Sequence, residues 1–299
     1  MTIRLDMLTA ASRAKNLLGD SAEVVVNFIC KQMNPDGGFK DRANQSDLYY
    51  TVFGIEALLA LRTCVPREKI LSFLQKFRDY QSLDLVHLAC LVRCSANLAP
   101  KTQVTNHQIL HYLERHRCHD GGYSNSVRAE QGTAYGCFLA LAAYQDLNME
   151  MQNSSAVIKC VKSLKRPDGA YANAQTSKIG SAPATAAALT TLHYFNEPVS
   201  DSSVDWLLSC FHPKGGFAVT STSQVNGLPD LLSTATALHA LALLGVSIDN
   251  IKEQCLDFLD SLWSTEGGFR GNWADETLDC EYAYYGLLAL GHLSNKNPT

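Results

Sequence analysis

The chain carries little net charge and no long run of either sign. Its 25 Lys and Arg against 29 Asp and Glu give a formal charge of -4 with a pI near 6.1, and basic residues cluster no further than short pairs. A nucleic-acid surface or a patch for anionic membranes needs a concentrated positive field, so both partners are excluded. Long apolar runs are missing as well: no window approaches the ~20 residues that cross a bilayer, and no transmembrane segment is expected. The opening Met-Thr-Ile-Arg-Leu-Asp-Met stretch has no apolar core for a secretion signal, so a soluble, cytoplasmic protein is expected. Any C-x-x-C pair or clustered cysteine framework is absent too. The ten cysteines scatter from Cys30 to Cys280, several at apolar helix positions, the pattern of free buried thiols in a reducing compartment.

What the chain does have is a repeat. A Gly-Gly-aromatic tripeptide stands at Gly37-Gly38-Phe39, Gly121-Gly122-Tyr123, Gly215-Gly216-Phe217 and Gly267-Gly268-Phe269, with a degraded copy at Gly169-Ala170-Tyr171. The first glycines step by 84, 48, 46 and 52 residues, and the first step is twice 42, so one copy has lost its glycines around Gln81-Ser82. Such a period is that of a helical-hairpin repeat.

Each tripeptide follows one apolar-periodic stretch and precedes a second that is rich in Ala, Leu and aromatics, which gives two helices per repeat. The outer members are expected at 21–33, 67–79, 104–117, 152–165, 199–211 and 249–263, each with a polar side. The inner members are expected at 47–62, 84–98, 131–145, 183–195, 230–245 and 279–293, apolar nearly all round. Six hairpins close into an all-α (α/α)6 barrel, a toroid with inner and outer helix rings, because an open array would leave its end faces wet. Residues 1–20 carry Leu5, Leu8, Ala11, Ala14 and Leu18 on one helical face, an extra helix packed on the barrel; residues 21–299 then form a single toroid domain. The glycine pairs sit where outer helices end and are scaffold rather than chemistry.

In register, the inner helices begin at Asp47, Asp84, Gln131, Pro183, Asp230 and Asp279. Asp is a favoured N-cap, and four at one rim also make an acidic mouth. Tyr49, Tyr50 and Phe53, with Tyr135 and Phe138, are placed either to line a cavity or to fill core. His87 is in register with Tyr50, Ser233 and Tyr282 near Asp84, placed to position a polar group, to act as a base, or to pack between helices. His107, His111, His116 and His119 with Cys118 look like a metal cluster, but a shift of 84 residues puts His107 and His111 on the solvated side of the first outer helix. Cys90 and Cys94 share a face, but two ligands do not make a metal site.

Tandem Asp-Gly-Gly-Phe turns, each followed by a polar loop and an Asp-initiated helix rich in Ala and Leu, resemble the β subunits of protein prenyltransferases and the squalene-hopene and other class II terpene cyclases. The resemblance covers residues 21–293, and Gln32 before Asp36-Gly37-Gly38-Phe39 is similar, with altered spacing, to the glutamine-aromatic repeats of the cyclases. It implies a small-molecule isoprenoid substrate. In the prenyltransferases zinc is held by an Asp, a Cys two residues later and a His of the last inner helix; the matching positions are Asp230, Leu232 and Tyr282, so no metal cofactor is expected. Their diphosphate-binding basic residues have no counterpart between Gly216 and Asp230. The cyclase acid motif, Asp-x-Asp-Asp-Thr-Ala after a Pro, is met by Pro229-Asp230-Leu231-Leu232-Ser233-Thr234-Ala235, where the middle Asp that donates the proton is Leu232.

Glu281 holds the place in the final hairpin that Leu232 holds in the one before. Set among Trp273, Tyr282, Tyr284 and Tyr285, its carboxyl would be desolvated and stay protonated at neutral pH, as a general acid requires; the alternative is a bond to a helix end or a buried Tyr. The expectation is an isoprenoid-processing enzyme of the class II cyclase type, with Glu281, Asp230, Asp279 and His87 as catalytic candidates. Asp47, Tyr49, Tyr50, Phe53, Asp84, Tyr135, Phe138, Trp273, Tyr282 and Tyr285 would surround the substrate. The alternatives are a prenyltransferase β-like subunit needing a helical-repeat α partner, and a non-catalytic toroid that binds lipid or peptide. A filled barrel would exclude both enzymes.

Overall fold

The computed structural model describes residues 1–98, 106–221 and 227–294. Two short helices, α1 (Ile3–Ser12) and α2 (Ala14–Leu18), precede six hairpins. The outer helices are α3 (Ser21–Lys31), α5 (Arg67–Leu74), α7 (Asn106–Glu114), α9 (Ser154–Ser163), α11 (Asp201–Ser209) and α13 (Lys252–Leu262). The inner ones are α4 (Leu48–Ala60), α6 (Leu85–Leu98), α8 (Ala134–Asp146), α10 (Ala182–Tyr194), α12 (Leu231–Leu243) and α14 (Cys280–Leu293). Each inner helix packs on its two neighbours, and α14 packs on α4, so the ring is closed. Burial follows composition: α3 hides Ala22, Val25, Phe28 and Ile29 and exposes Glu23 and Lys31, whereas α12 buries residues on nearly every side.

The glycine turns hold the two rings together. Gly37 has φ +92°, and a Cβ there would lie 2.2 Å from the carbonyl oxygen of Lys69 in the next outer helix. Gly267, at φ +96°, meets Val24 of the first outer helix in the same way, with 2.3 Å from an added Cβ to its carbonyl oxygen. Left-handed backbone and contact with a neighbouring main chain leave no room for a side chain. Each following aromatic is buried, and Phe39 and Phe269 press against Gly54 and Gly286 of the inner helices behind them. The second repeat, which lacks the glycines, ends its outer helix early and continues as two 3-10 turns, Gln75–Phe77 and Tyr80–Ser82, in place of a helix to 79.

Two inner helices start elsewhere than the Asp register implies. The caps are Thr133 and Ser181, not Gln131 and Pro183; their hydroxyls accept from the amides of Gly136 and Ala184. Pro183 lies inside the first turn, where its missing N–H costs nothing. The start of the third outer stretch, at 104–105, lies outside the described residues.

The α1–α2 segment spans the C-terminal ends of the inner helices. The Ile3 amide donates to Gln145 Oε1 and Arg4 pairs with Asp146 at 2.7 Å, both at the end of α8. Arg4 also donates to Asn97 of α6, Tyr194 of α10 donates to Asp6, and Lys15 donates to the carbonyl of Leu61 behind α4. Gly291 of α14 lets that helix approach the Ala10 backbone. One end of the barrel therefore has a floor, and the N-terminal ends of the inner helices form the opposite rim.

Candidate active site

Counting from the six caps, Asp47, Asp84, Thr133, Ser181, Asp230 and Asp279, brings equivalent side chains into layers. Two residues on stand Tyr49, Val86, Tyr135, Pro183, Leu232 and Glu281. The first five line a cavity of about 570 Å³ that runs down the axis to Met7 of the floor. The barrel is therefore not filled, and the cavity is of small-molecule size. Its walls are mostly apolar and include five of the expected aromatics: Tyr49, Phe53, Tyr135, Phe138 and Tyr285. Phe53 meets Tyr49 edge-on at 4.9 Å between centroids and Tyr285 at 5.4 Å.

Leu232 does face this space, in the position where the cyclase acid would be. Glu281 is not itself a lining residue. It sits one step back, and the Tyr49 hydroxyl, which is on the wall, donates to Glu281 Oε1 at 2.6 Å. Burial pushes the Glu281 carboxyl above the usual range, against the opposing effect of the Tyr49 hydrogen bond. Burial likewise pushes Tyr49 upward, keeping it a neutral phenol.

The acidic residues of the rim are helix caps, and each has protein partners. Asp47 accepts from the amides of Tyr49 and Tyr50, Asp84 from that of His87, Asp230 from that of Ser233 and Asp279 from that of Tyr282. His87 joins two of them, with Nδ1 2.7 Å from Asp84 and Nε2 3.4 Å from Asp47. Its bond to Asp47, with Asp84 adding, raises the imidazole to about 9 despite partial burial. Burial opposes ionisation of both carboxyls, but His87 and the helix-end donors outweigh it and hold them below the usual range. Asp230 and Asp279 are pushed up by burial, with Ser233 in the first case and Tyr282 and Arg42 in the second pulling the other way. None of these four Asp residues, nor His87, lines the cavity.

Besides Asp47 and Asp84, three of the aromatics expected around the substrate are elsewhere. The loop before α14 carries Trp273 outward, where its indole donates to Ser261 of α13 and its ring packs on Phe258. Tyr282 points to Asp275 and lies under Arg42, 5.0 Å from guanidinium carbon to ring centroid. Tyr50 meets Tyr49 edge-on outside the lining. His107, His111 and His119 are exposed while His116 and Cys118 are buried, so the histidines do not converge. Among the described residues no three His, Cys, Asp or Glu side chains form a metal-sized cluster. A prenyltransferase-type zinc does not fit: both Asp230 oxygens bond Ser233, Leu232 offers no ligand, and Tyr282 is turned to Asp275.

Deeper in the barrel lies a polar layer that the glycine repeat and the rim register do not announce. Nine residues beyond the caps stand Glu56, Arg93, Ala142, Thr190, His239 and Leu288. Glu56 is fully buried and takes Arg93 Nε and Nη2 at 2.6 and 2.7 Å, with Asn97 donating at 3.0 Å. The signal was present, since Glu56 is the one acidic residue of α4, Arg93 the one Lys or Arg of α6, and both share one register. Arg42, which donates to Asp279 at 3.1 Å, is not announced either; 237 residues separate them, and only ring closure brings them together.

A closed ring of six helical hairpins around an apolar, aromatic cavity defines an α/α toroid. The chain belongs to the prenyltransferase α/α toroid domain family, whose model matches residues 3–144, 81–195 and 184–297. No curated protein matches it. Among solved structures it is similar to Candida albicans protein geranylgeranyltransferase-I complexed with GGPP, with a TM-score of 0.63 and 16% identity over 82% of this chain and 84% of that one. It is similar as well to a variant of the type II terpene cyclase MstE from Scytonema in complex with its substrate geranylgeranyl dihydroxybenzoate, with a TM-score of 0.62 and 14% identity over 94% and 97%. A third is a protein from Actinoplanes, with a TM-score of 0.58 and 16% identity over 92% and 98%. Likeness at these identities is one of fold. Among the described residues no helix is long and apolar enough to cross a membrane.

Proposed function

We propose that the protein is an isoprenoid-processing enzyme of the class II terpene cyclase type, which protonates a linear prenyl chain in the barrel cavity without a metal cofactor. The observation that carries this reading is the Tyr49–Glu281 pair at the cavity wall, in the same layer as Leu232. Protonated Glu281 donates to the Tyr49 oxygen, and the Tyr49 O–H then turns to the cavity. The phenol proton passes to an alkene carbon as the π bond breaks, the carboxyl proton restores the phenol, and Glu281 is left as the carboxylate. The rings of Phe53, Tyr135, Phe138 and Tyr285 stabilise the carbocation through their negative faces and exclude the water that would quench it. The same ionised pair takes a proton back when the product alkene forms, which closes the cycle.

Purified protein incubated with a panel of linear isoprenoids, with products analysed by mass spectrometry, tests the reading. Turnover of at least one to a cyclised or rearranged isomer, lost in Glu281→Gln, is the expected result. Turnover that survives both Glu281→Gln and Tyr49→Phe removes the pair from the mechanism.

A further inference from the structure

The cavity is apolar along its walls and polar at its closed end. Arg93 of α6, Thr190 of α10 and His239 of α12 all belong to the layer nine residues beyond the caps, all three line the cavity, and Arg93 Nη2 reaches the sulfur of Met7 in the floor at 3.6 Å. They come from different helices of the ring and face the same axis. Arg93 donates to Glu56 through Nε and Nη2 while its side chain stays on the cavity wall. His239 is 5% exposed and meets His292 through Nδ1 at 3.1 Å, while its Nε2 is buried with no partner among the described residues. Asp146, another lining residue, pairs with Arg4 through Oδ1 and has its Oδ2 in the same state. Buried polar atoms without partners are costly and uncommon, and two at one end of one cavity point to a group that belongs there.

Charge narrows what that group is. Arg93 is neutralised by Glu56 and Arg4 by Asp146, so the closed end carries two cations and two anions that cancel. Burial, with Arg93 and His193 adding, lowers His239 to about 4, so the imidazole is neutral. A neutralised guanidinium, a neutral imidazole with an unpartnered ring nitrogen and a hydroxyl suit one oxygen that both accepts and donates. They do not suit a diphosphate, whose several negative charges would need uncompensated cations.

We propose that the closed end of the cavity is a recognition site for a single uncharged oxygen function, a hydroxyl or carbonyl, at one end of the bound chain. The chain then lies with its oxygenated end on the floor and its hydrocarbon end at the rim, where Tyr49 and Glu281 stand. This rests on the cavity being the substrate site, as above, and not on which residue is the acid there.

Calorimetric titration with three probes of equal chain length tests it: geranylgeraniol, the corresponding C20 hydrocarbon and geranylgeranyl diphosphate. One well-placed hydrogen bond gives the alcohol an advantage of about tenfold over the hydrocarbon, and the diphosphate should bind more weakly than the alcohol. In His239→Phe the ratio of alcohol to hydrocarbon affinity falls toward one while the hydrocarbon still binds. Thr190→Val, close to isosteric, lowers the same ratio and serves if the histidine variant does not fold. Equal affinity for alcohol and hydrocarbon in the wild type, or tighter binding of the diphosphate, overturns the inference. An alcohol preference without turnover of any isoprenoid overturns the catalytic reading and leaves this one standing. Failure of all three probes to bind overturns both.

Discussion

Tyr49 of α4 and Glu281 of α14 meet across the seam where the last inner helix closes on the first, hydroxyl to carboxyl at 2.6 Å. Glu281→Gln keeps the shape of the seam and removes the proton, so kcat should fall by about 10² to 10⁴. The raised carboxyl also has a stability signature. Its contribution is fully present below the unfolded carboxyl pKa and is lost as pH rises through the folded value. Denaturation midpoints measured across that interval should slope downward in the wild type and flatten in Glu281→Gln.

Leu232 gives a second test of the same chemistry. It lines the cavity in the layer of Tyr49, so Leu232→Asp would put a carboxyl directly on the wall. In the Glu281→Gln background this substitution should restore at least tenfold of the lost turnover, read by the same mass-spectrometric assay. A variant that folds and stays inactive argues against protonation at this layer.

His87 joins the caps of two neighbouring inner helices at the rim. Its imidazole rises from the ordinary 6.5 to about 9, so its contribution is present below 6.5 and is lost as pH climbs through about 9. The side chain is 36% exposed, and screening cuts the effect to about 1 kcal/mol. His87→Gln should remove that loss of stability between pH 6.5 and 9 and leave turnover within a few-fold, since His87 does not line the cavity.

Arg93→Met should destabilise the protein by about 3 to 5 kcal/mol in chemical denaturation, because it strands the Glu56 carboxylate in the interior. Pairing it with Glu56→Leu should recover most of that loss. Recovery would show that the pair acts on stability mainly through the cost of separating it.

How far the sequence could be read depended on whether a constraint was local. The turn at Gly37 needs φ > 0 and contact with another main chain, a demand only glycine meets, so its recurrence marked the repeat and through it both rings. The missing second copy was visible as a doubled interval and corresponds to two 3-10 turns. Register slipped at α8 and α10, where Thr133 and Ser181 cap instead of Asp and Pro183 looked like a beginning. Trp273 was misplaced because a loop, unlike a helix, has no period to say which way it turns. The link from Tyr49 to Glu281 spans 232 residues and follows only once the ring is known to close.

Gly267→Ala tests that closure. The substituted residue would need φ +96° and would push its Cβ to 2.3 Å from the Val24 carbonyl oxygen. The cost should be about 3 kcal/mol by denaturant titration. Gly227→Ala, where no described residue stands within 4 Å of an added Cβ, should stay within about 0.5 kcal/mol.

The floor ties α1 to α14, which lie far apart in the sequence. During synthesis α1 emerges well before α14, on which it largely rests, and α4 likewise waits for α14, its second neighbour in the ring. Contacts between such distant segments form slowly, because each encloses a very long loop. Until α14 leaves the ribosome, the apolar faces that will surround the ligand have no complete enclosure. The chamber therefore closes only when the α13–α14 hairpin is present, and a newborn chain without that hairpin would be a collapsed, aggregation-prone intermediate with no complete binding site.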